Sequence, residues 1–290
     1  MLDSDSARYR GIEVETMAAT GAVIPFPKPL QQYHVTVKPQ PLSLRLLDIL
    51  CGAVGLAISL PFIAVAAVLI WLEDRHNPLY IAERIGAGGK PFKFIKLRSI
   101  SRHAGVRPDE IITTRDNRVT ALGHFIRTSK LDELPQFWHV LKGDMSLVGP
   151  RASVSAIVDA FTEEEMRILS VKPGITDLAS IMFLNLGKVL EHSNDPKGDY
   201  DRLVRPWKSR LALLYVDHQS LGLTLRTLWL TALAFIHHDR ALQGVARIAE
   251  HHRAHPKLVS IVRRELELAP FPPPGAEKSA HPAQPAQAGA

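Results

Sequence analysis

Cys51 is the only cysteine among the 290 residues, so no disulfide can form within the chain and a zinc site of paired cysteines is excluded. A reducing compartment fits such a chain. The first twenty residues carry Asp3, Asp5, Glu13 and Glu15 and lack a continuous apolar run, the wrong pattern for a secretory signal, so no cleavage is expected. No internal repeat is visible. Gly86-Ala87-Gly88-Gly89 is followed by Lys90-Pro91 and lacks the earlier glycine of a Walker A loop, and a dinucleotide fingerprint fails there too. Basic residues without interleaved aromatics or a recognisable motif give no nucleic-acid partner. Residues 49–72 contain no Asp, Glu, Lys, Arg or His, about 24 residues and about 36 Å of straight helix, enough to cross a bilayer.

What is present bounds the rest. A hydrophobic fraction of 46% against 22% charged residues excludes an anionic tail or a wholly disordered chain and leaves material for a core. The net charge of +6 implies an anionic partner: nucleic acid, phosphorylated substrate or acidic lipid headgroups. Pro61 sits mid-way along the apolar run, where it removes a backbone donor and clashes with the preceding turn, so the helix should kink or break. Lys28, Lys38 and Arg45 precede the run, and Arg75, Arg84, Lys90, Lys93, Lys96 and Arg98 follow it, which gives no orientation for a simple span. A re-entrant helix with both flanks in the cytoplasm and a plain spanning helix both remain open. The stretch 211–236 is apolar but interrupted by Asp217, His218 and Arg226, and reads as amphipathic helices at the headgroup level or as core helices.

Around these segments, residues 1–41 read as irregular and those from about 269 as a disordered Pro/Ala-rich tail. Leu79-Tyr80-Ile81 and the run from Pro91 to Arg98 flank the glycines as a hairpin, whose alternation puts Lys96 and Arg98 on one face. Two cations there can meet a diphosphate or be solvated edge charges. The histidines His237, His238, His251, His252 and His255 read as basic surface, because adjacent helical positions diverge by about 100° and do not converge on a metal.

Lys130-Leu131-Asp132-Glu133-Leu134-Pro135-Gln136 places adjacent carboxylates before a proline that favours a first helical turn, where a helix dipole can hold them ionised. Asp132 and Glu133 are then either a nucleophile and metal ligands or ordinary capping residues. Leu131, Leu134, Trp138 and Leu141 form an apolar face of the following helix, with Asp132, Gln136 and His139 on a separate side towards a cleft. The run from Met145 to Arg151 leaves that helix as a loop or short strand able to return Arg151 to it, and 172–176 forms a tight turn.

Taken together, Arg45-x-x-Asp48, the Pro-interrupted helix, Glu83-Arg84-Ile85-Gly86, Lys96-Leu97-Arg98-Ser99, Asp132-Glu133-Leu134-Pro135-Gln136, the run from Gly143 to Arg151 and Pro173-Gly174-Ile175-Thr176 closely resemble the bacterial sugar transferase family. These are monotopic phosphoglycosyl transferases that begin lipid-linked glycan assembly, and the resemblance covers residues 42–235. It implies transfer of a sugar phosphate from a UDP-sugar to polyprenyl phosphate, with release of UMP and a requirement for Mg2+. It implies Asp132 as the nucleophile of a covalent phosphosugar intermediate, Glu133 positioning magnesium or a proton, and Lys96 as the functional lysine. Arg98, Pro150 and Arg151 become substrate contacts, with Asp132 and Glu133 the metal ligands. Ala152 stands where the family commonly has Pro, Leu60 precedes Pro61 where Ser is usual, and Asp177 and Ser180 replace a frequent Gly and Gln.

The expected fold is therefore α+β: an irregular segment (1–41), a Pro-broken re-entrant helix (42–76), a catalytic domain with a small hairpin and amphipathic interfacial helices (77–236), and a basic C-terminal extension (237–290). The expected location is the cytoplasmic face of a bacterial inner membrane, with membrane lipid and either a homo-oligomer or glycan-assembly proteins as further partners. A catalytically silent membrane scaffold is the alternative function.

Overall fold

The computed structural model describes residues 33, 35–101 and 116–276, so the expectations for 1–32 and for the end of the tail, 277–290, lie outside the described residues. The first element, α1 (Leu42–Asp74), is a 33-residue helix that contains Pro61. Pro61 was expected to break it, yet the helix continues through. Proline forfeits one backbone hydrogen bond there, and the turns on either side of it keep theirs. The buried positions Leu44, Asp48, Gly52, Ser59, Ala66 and Ile70 are spaced by four or seven residues and so share one face, which rests on the folded body. Leu46, Leu50, Ile58, Phe62, Val65 and Leu69 are exposed elsewhere on the helix.

Polar groups fasten this apolar helix. Asp48, only 1% exposed, accepts from Ser146 Oγ at 3.0 Å, Leu147 N at 2.9 Å and Gln40 Nε2 at 2.6 Å. Arg45 donates to the carbonyls of Val140 and Leu141, both at 2.7 Å, so a cation meets the C-terminal end of the helix those residues close. Gly52 and Gly55 allow close approach: a Cβ on Gly55 would lie 2.7 Å from the Phe137 ring. At the far end, Asp74 receives Arg98 and Glu73 accepts from Thr120 Oγ1. Each buried donor that lost its carboxylate here would cost about 1–3 kcal/mol.

The expected hairpin forms from β1 (Leu79–Ile85) and β2 (Pro91–Leu97), paired antiparallel with Tyr80 opposite Lys96 and Arg84 opposite Phe92. Helices α2 (Ala121–Thr128) and α3 (Gln136–Lys142) follow. The runs 143–151 and 172–176 then come together as a two-stranded parallel sheet, β3 (Ser146–Val148) beside β4 (Gly174–Thr176). Gly149 and Gly174 touch backbone to backbone, since a Cβ on Gly174 would sit 2.1 Å from Gly149 N. Of the two helices in 205–236, α4 (Arg205–His218) is a core helix, with Trp207, Leu211 and Tyr215 buried. Its neighbour α5 (Leu221–Ile236) buries Leu223, Thr227 and Leu230 and exposes Leu225, Trp229, Phe235 and Ile236.

The core does not stop at residue 236, where the sequence suggested that the catalytic unit ends. Helices α6 (His238–His251) and α7 (Pro256–Val262) contribute Val245, Ala249, Leu258 and Val262 to the same cluster as Trp207 and Leu211. Their apolar positions repeat at helical spacing, which the basic residues between them hide from a charge count. The start of the expected disordered tail is packed as well: Phe271 stacks on Trp207 with ring centres 4.6 Å apart.

Candidate active site

Asp132 and Glu133 lie in a single 3-10 turn, Leu131–Glu133, entered through Lys130, whose backbone is left-handed (φ 59°). A residue with a Cβ loses about 1–2 kcal/mol in that conformation, so strain is stored directly before the acidic pair. Helix α3 starts later, at Gln136, after Pro135 and without a side-chain cap. The carboxylates are therefore not serving as its caps. The apolar stripe is only partly covered: Leu131, Leu134 and Leu141 are half-buried and Trp138 is 52% exposed, whereas Asp132, Gln136 and His139 are buried.

The two carboxylates are in unequal settings. Glu133 takes both Nη atoms of Arg151, each at 2.8 Å, and Lys96 Nζ at 3.2 Å. Asp132, 8% exposed, has Lys96 Nζ at 3.6 Å from Oδ2, while its Oδ1 is buried with no hydrogen-bond partner. Burial pushes the Asp132 carboxyl above the usual aspartate range, and Lys96 offsets this only in part. Burial also acts upwards on Glu133, but Arg151 and Lys96 outweigh it and hold that carboxyl well below the usual range. One acid is thus saturated and firmly ionised. The other keeps unused lone pairs and a raised affinity for an electrophile.

The model of the bacterial sugar transferase family matches residues 40–238, well over half of the chain. The chain belongs to the bacterial sugar transferase family. A Bacillus subtilis protein assigned as an undecaprenyl-phosphate N-acetylgalactosaminyl 1-phosphate transferase is 47% identical over 120 residues, 41% of this chain and 67% of that protein. A UDP-glucose:undecaprenyl-phosphate glucose-1-phosphate transferase of Caulobacter vibrioides is 39% identical over 148 residues, 49% of this chain and 55% of its own. A Klebsiella pneumoniae protein of the same name is 34% identical over 216 residues, 72% of this chain and 42% of its own. The matches thus span between 42% and 67% of these relatives' lengths.

Within this sugar transferase, Lys96, Asp132, Glu133 and Arg151 come together, and two other nominated residues do not join them. Arg98 is turned to Asp74, with Nη2 to Oδ1 at 2.6 Å, and to the Asn77 carbonyl, because β2 ends at Leu97 and the strand alternation that would align it with Lys96 ends with it. Pro150 is buried, its carbonyl accepting from Gly174 N at 3.0 Å. Asp177 caps the Leu178–Met182 helix by accepting from the backbone N of Ser180. Sequence reasoning noted His139 without a role. Its Nε2 accepts from Ile95 N at 3.2 Å, which leaves Nδ1 as the donor to Asp144 at 3.3 Å and pins β2 one residue before Lys96. An apolar-facing His with an acid five residues later was the available signal.

The raised pKa of Asp132 has a thermodynamic sign. A group whose folded pKa exceeds its unfolded pKa costs stability once ionised, so Asp132→Asn should melt above the wild type at pH 7. The gap should close as the pH falls through the raised pKa towards the ordinary aspartate value, where the wild type is neutral too. Melting curves across that range check this, and an Asn variant that melts lower at neutral pH would contradict it.

Proposed function

We propose that this chain transfers a sugar 1-phosphate from a UDP-sugar to polyprenyl phosphate and releases UMP, as the first step of lipid-linked glycan synthesis. The observation that carries the reading is the unpartnered, buried Oδ1 of Asp132 beside Lys96 and the Arg151-saturated Glu133. Oδ1 attacks the sugar-bearing phosphorus, and the bond from that phosphorus to the bridging oxygen breaks, with its electron pair leaving on UMP. A phosphate oxygen of the lipid then attacks the same phosphorus, which restores the carboxylate and yields a diphosphate-linked sugar. Lys96 steadies charge between both carboxylates and the incoming phosphate. Glu133 and Arg151 form the fixed wall that keeps Lys96 and the turn in place.

Magnesium fits this donor set as an ion carried by the diphosphate. Asp132 has lone pairs to offer, both oxygens of Glu133 are engaged, and no group of three or more acidic, His or Cys ligands occurs among the described residues. Bound there, it would supply positive charge that lets a carboxylate approach an anionic phosphate.

A re-entrant placement of α1 in the inner membrane, with the catalytic body on the cytoplasmic face, belongs to the same proposal. Asp48 near its start and Asp74 at its end are tied to one folded body, and the helix exposes apolar side chains between them. Phe125, Trp138 and Trp229 add exposed aromatic surface suited to an interface. A bend of this continuous helix at Pro61 would let it dip into a bilayer and return to the same face.

Two measurements check these readings. Purified protein given a panel of UDP-sugars, polyprenyl phosphate and Mg2+ should release UMP with at least one donor, and Asp132→Asn should release none while remaining folded; an active Asn variant would sink the nucleophile. Single cysteines at positions 38 and 75 in a Cys51→Ala background should both label from the cytoplasmic side. Labelling from opposite sides would mean a spanning helix.

A further inference from the structure

The sequence nominated Lys96, Arg98 and Arg151 to meet a diphosphate, and the structure has each of them facing a carboxylate of this chain. Arg84 differs. Its Nε is buried with no hydrogen-bond partner, and among the described residues no hydrogen bond or ion pair holds the rest of its guanidinium. What it touches is the Phe94 ring, 5.7 Å from the centroid, and Lys96 Nζ lies 5.5 Å from the centroid of that same ring. Tyr80, Arg84, Phe94 and Lys96 share one face of the hairpin, by pairing register and by alternation. Burial works against the charge of Arg84 and Arg151 adds repulsion, which Tyr80 and Tyr200 offset only in part. A half-buried guanidinium whose enclosed Nε goes unanswered, with another cation nearby, is costly in the free protein. An anion would relieve it.

We propose that Arg84 is a phosphate-binding residue of the donor site, taking the diphosphate of a uridine nucleotide between itself and Lys96 over the Phe94 ring. The proposal rests on the donor reading above and deepens it. Arg98 and Arg151 act as positioning residues, bound to Asp74 and Glu133, while Arg84 has donors free for an incoming charge. Its planar fork suits two phosphate oxygens at once.

The test uses the full chain with UDP and inorganic pyrophosphate as calorimetric probes, beside thermal melting without ligand. Arg84→Met keeps the stem packed on Phe94 and removes the charge. It should melt at or above the wild-type temperature and bind UDP about ten- to a hundredfold more weakly, the loss expected for charge-assisted hydrogen bonds. Arg84→Lys should recover part of that loss. Wild-type affinity for UDP in Arg84→Met overturns the proposal, as does a lower melting temperature, which would show the guanidinium already satisfied within the fold. Pyrophosphate binding that depends on Arg84 with no preference for UDP would keep the anion site and contradict the nucleotide donor. A wild-type chain that binds neither probe would overturn the site itself.

Discussion

Asp48 sits in the second turn of an apolar helix and is almost wholly removed from water, a position tolerable only because Ser146, Leu147 and Gln40 all donate to it. Two of those donors belong to β3, the strand that leads into Gly149, Pro150 and Arg151. The membrane-type helix and the loop carrying the active-site arginine are thereby one unit. Arg45 strengthens the joint from the same helix by taking the last carbonyls of α3, the helix that the acidic turn enters. A shift of α1 therefore acts on both the loop of Arg151 and the helix that follows Glu133. Under the proposed function, the chemistry is coupled to the surface that would meet lipid, where an acceptor with a polyprenyl tail would arrive.

At the site, the protein spends stability on reactivity. Glu133 is stabilised by a bidentate arginine and a lysine, an arrangement favourable enough to anchor the turn. Asp132, one residue away, is left buried with one oxygen unserved, and Lys130 enters the turn in a strained backbone conformation. Arg84 repeats the pattern with the opposite charge. These unsatisfied groups have little structural use: an incoming phosphate would answer Arg84, and its electrophilic phosphorus would answer Asp132.

Much of this was legible in the sequence, for identifiable reasons. The hairpin followed from β-prone runs flanking glycines, and the return of Arg151 followed from the short path between residues 143 and 151. The order of motifs led to the family. Arg98 misled because period-2 alternation holds only while the strand lasts, and β2 ends at Leu97. The apolar stripe through Trp138 misled because such a pattern marks a face without saying whether protein or lipid covers it. Pro61 signals a lost hydrogen bond, and a long helix with partners along one face absorbs that loss. The C-terminal helices were hidden by their charge, while their apolar spacing stayed readable. Arg84 stood inside a family motif but carried no assigned role, since an unpaired cation is recognised only when every neighbouring acid has been assigned elsewhere.

The central claim is that Asp132 becomes covalently loaded with a phosphosugar. It is tested most directly by mass analysis of the peptide containing Asp132 after the protein meets its UDP-sugar and Mg2+ without a lipid acceptor. The account predicts UMP release to about one equivalent, a gain of one sugar phosphate on that peptide, and loss of the adduct when polyprenyl phosphate is added. Turnover on the same donor with no trappable adduct on Asp132, or an adduct on another residue, would contradict it.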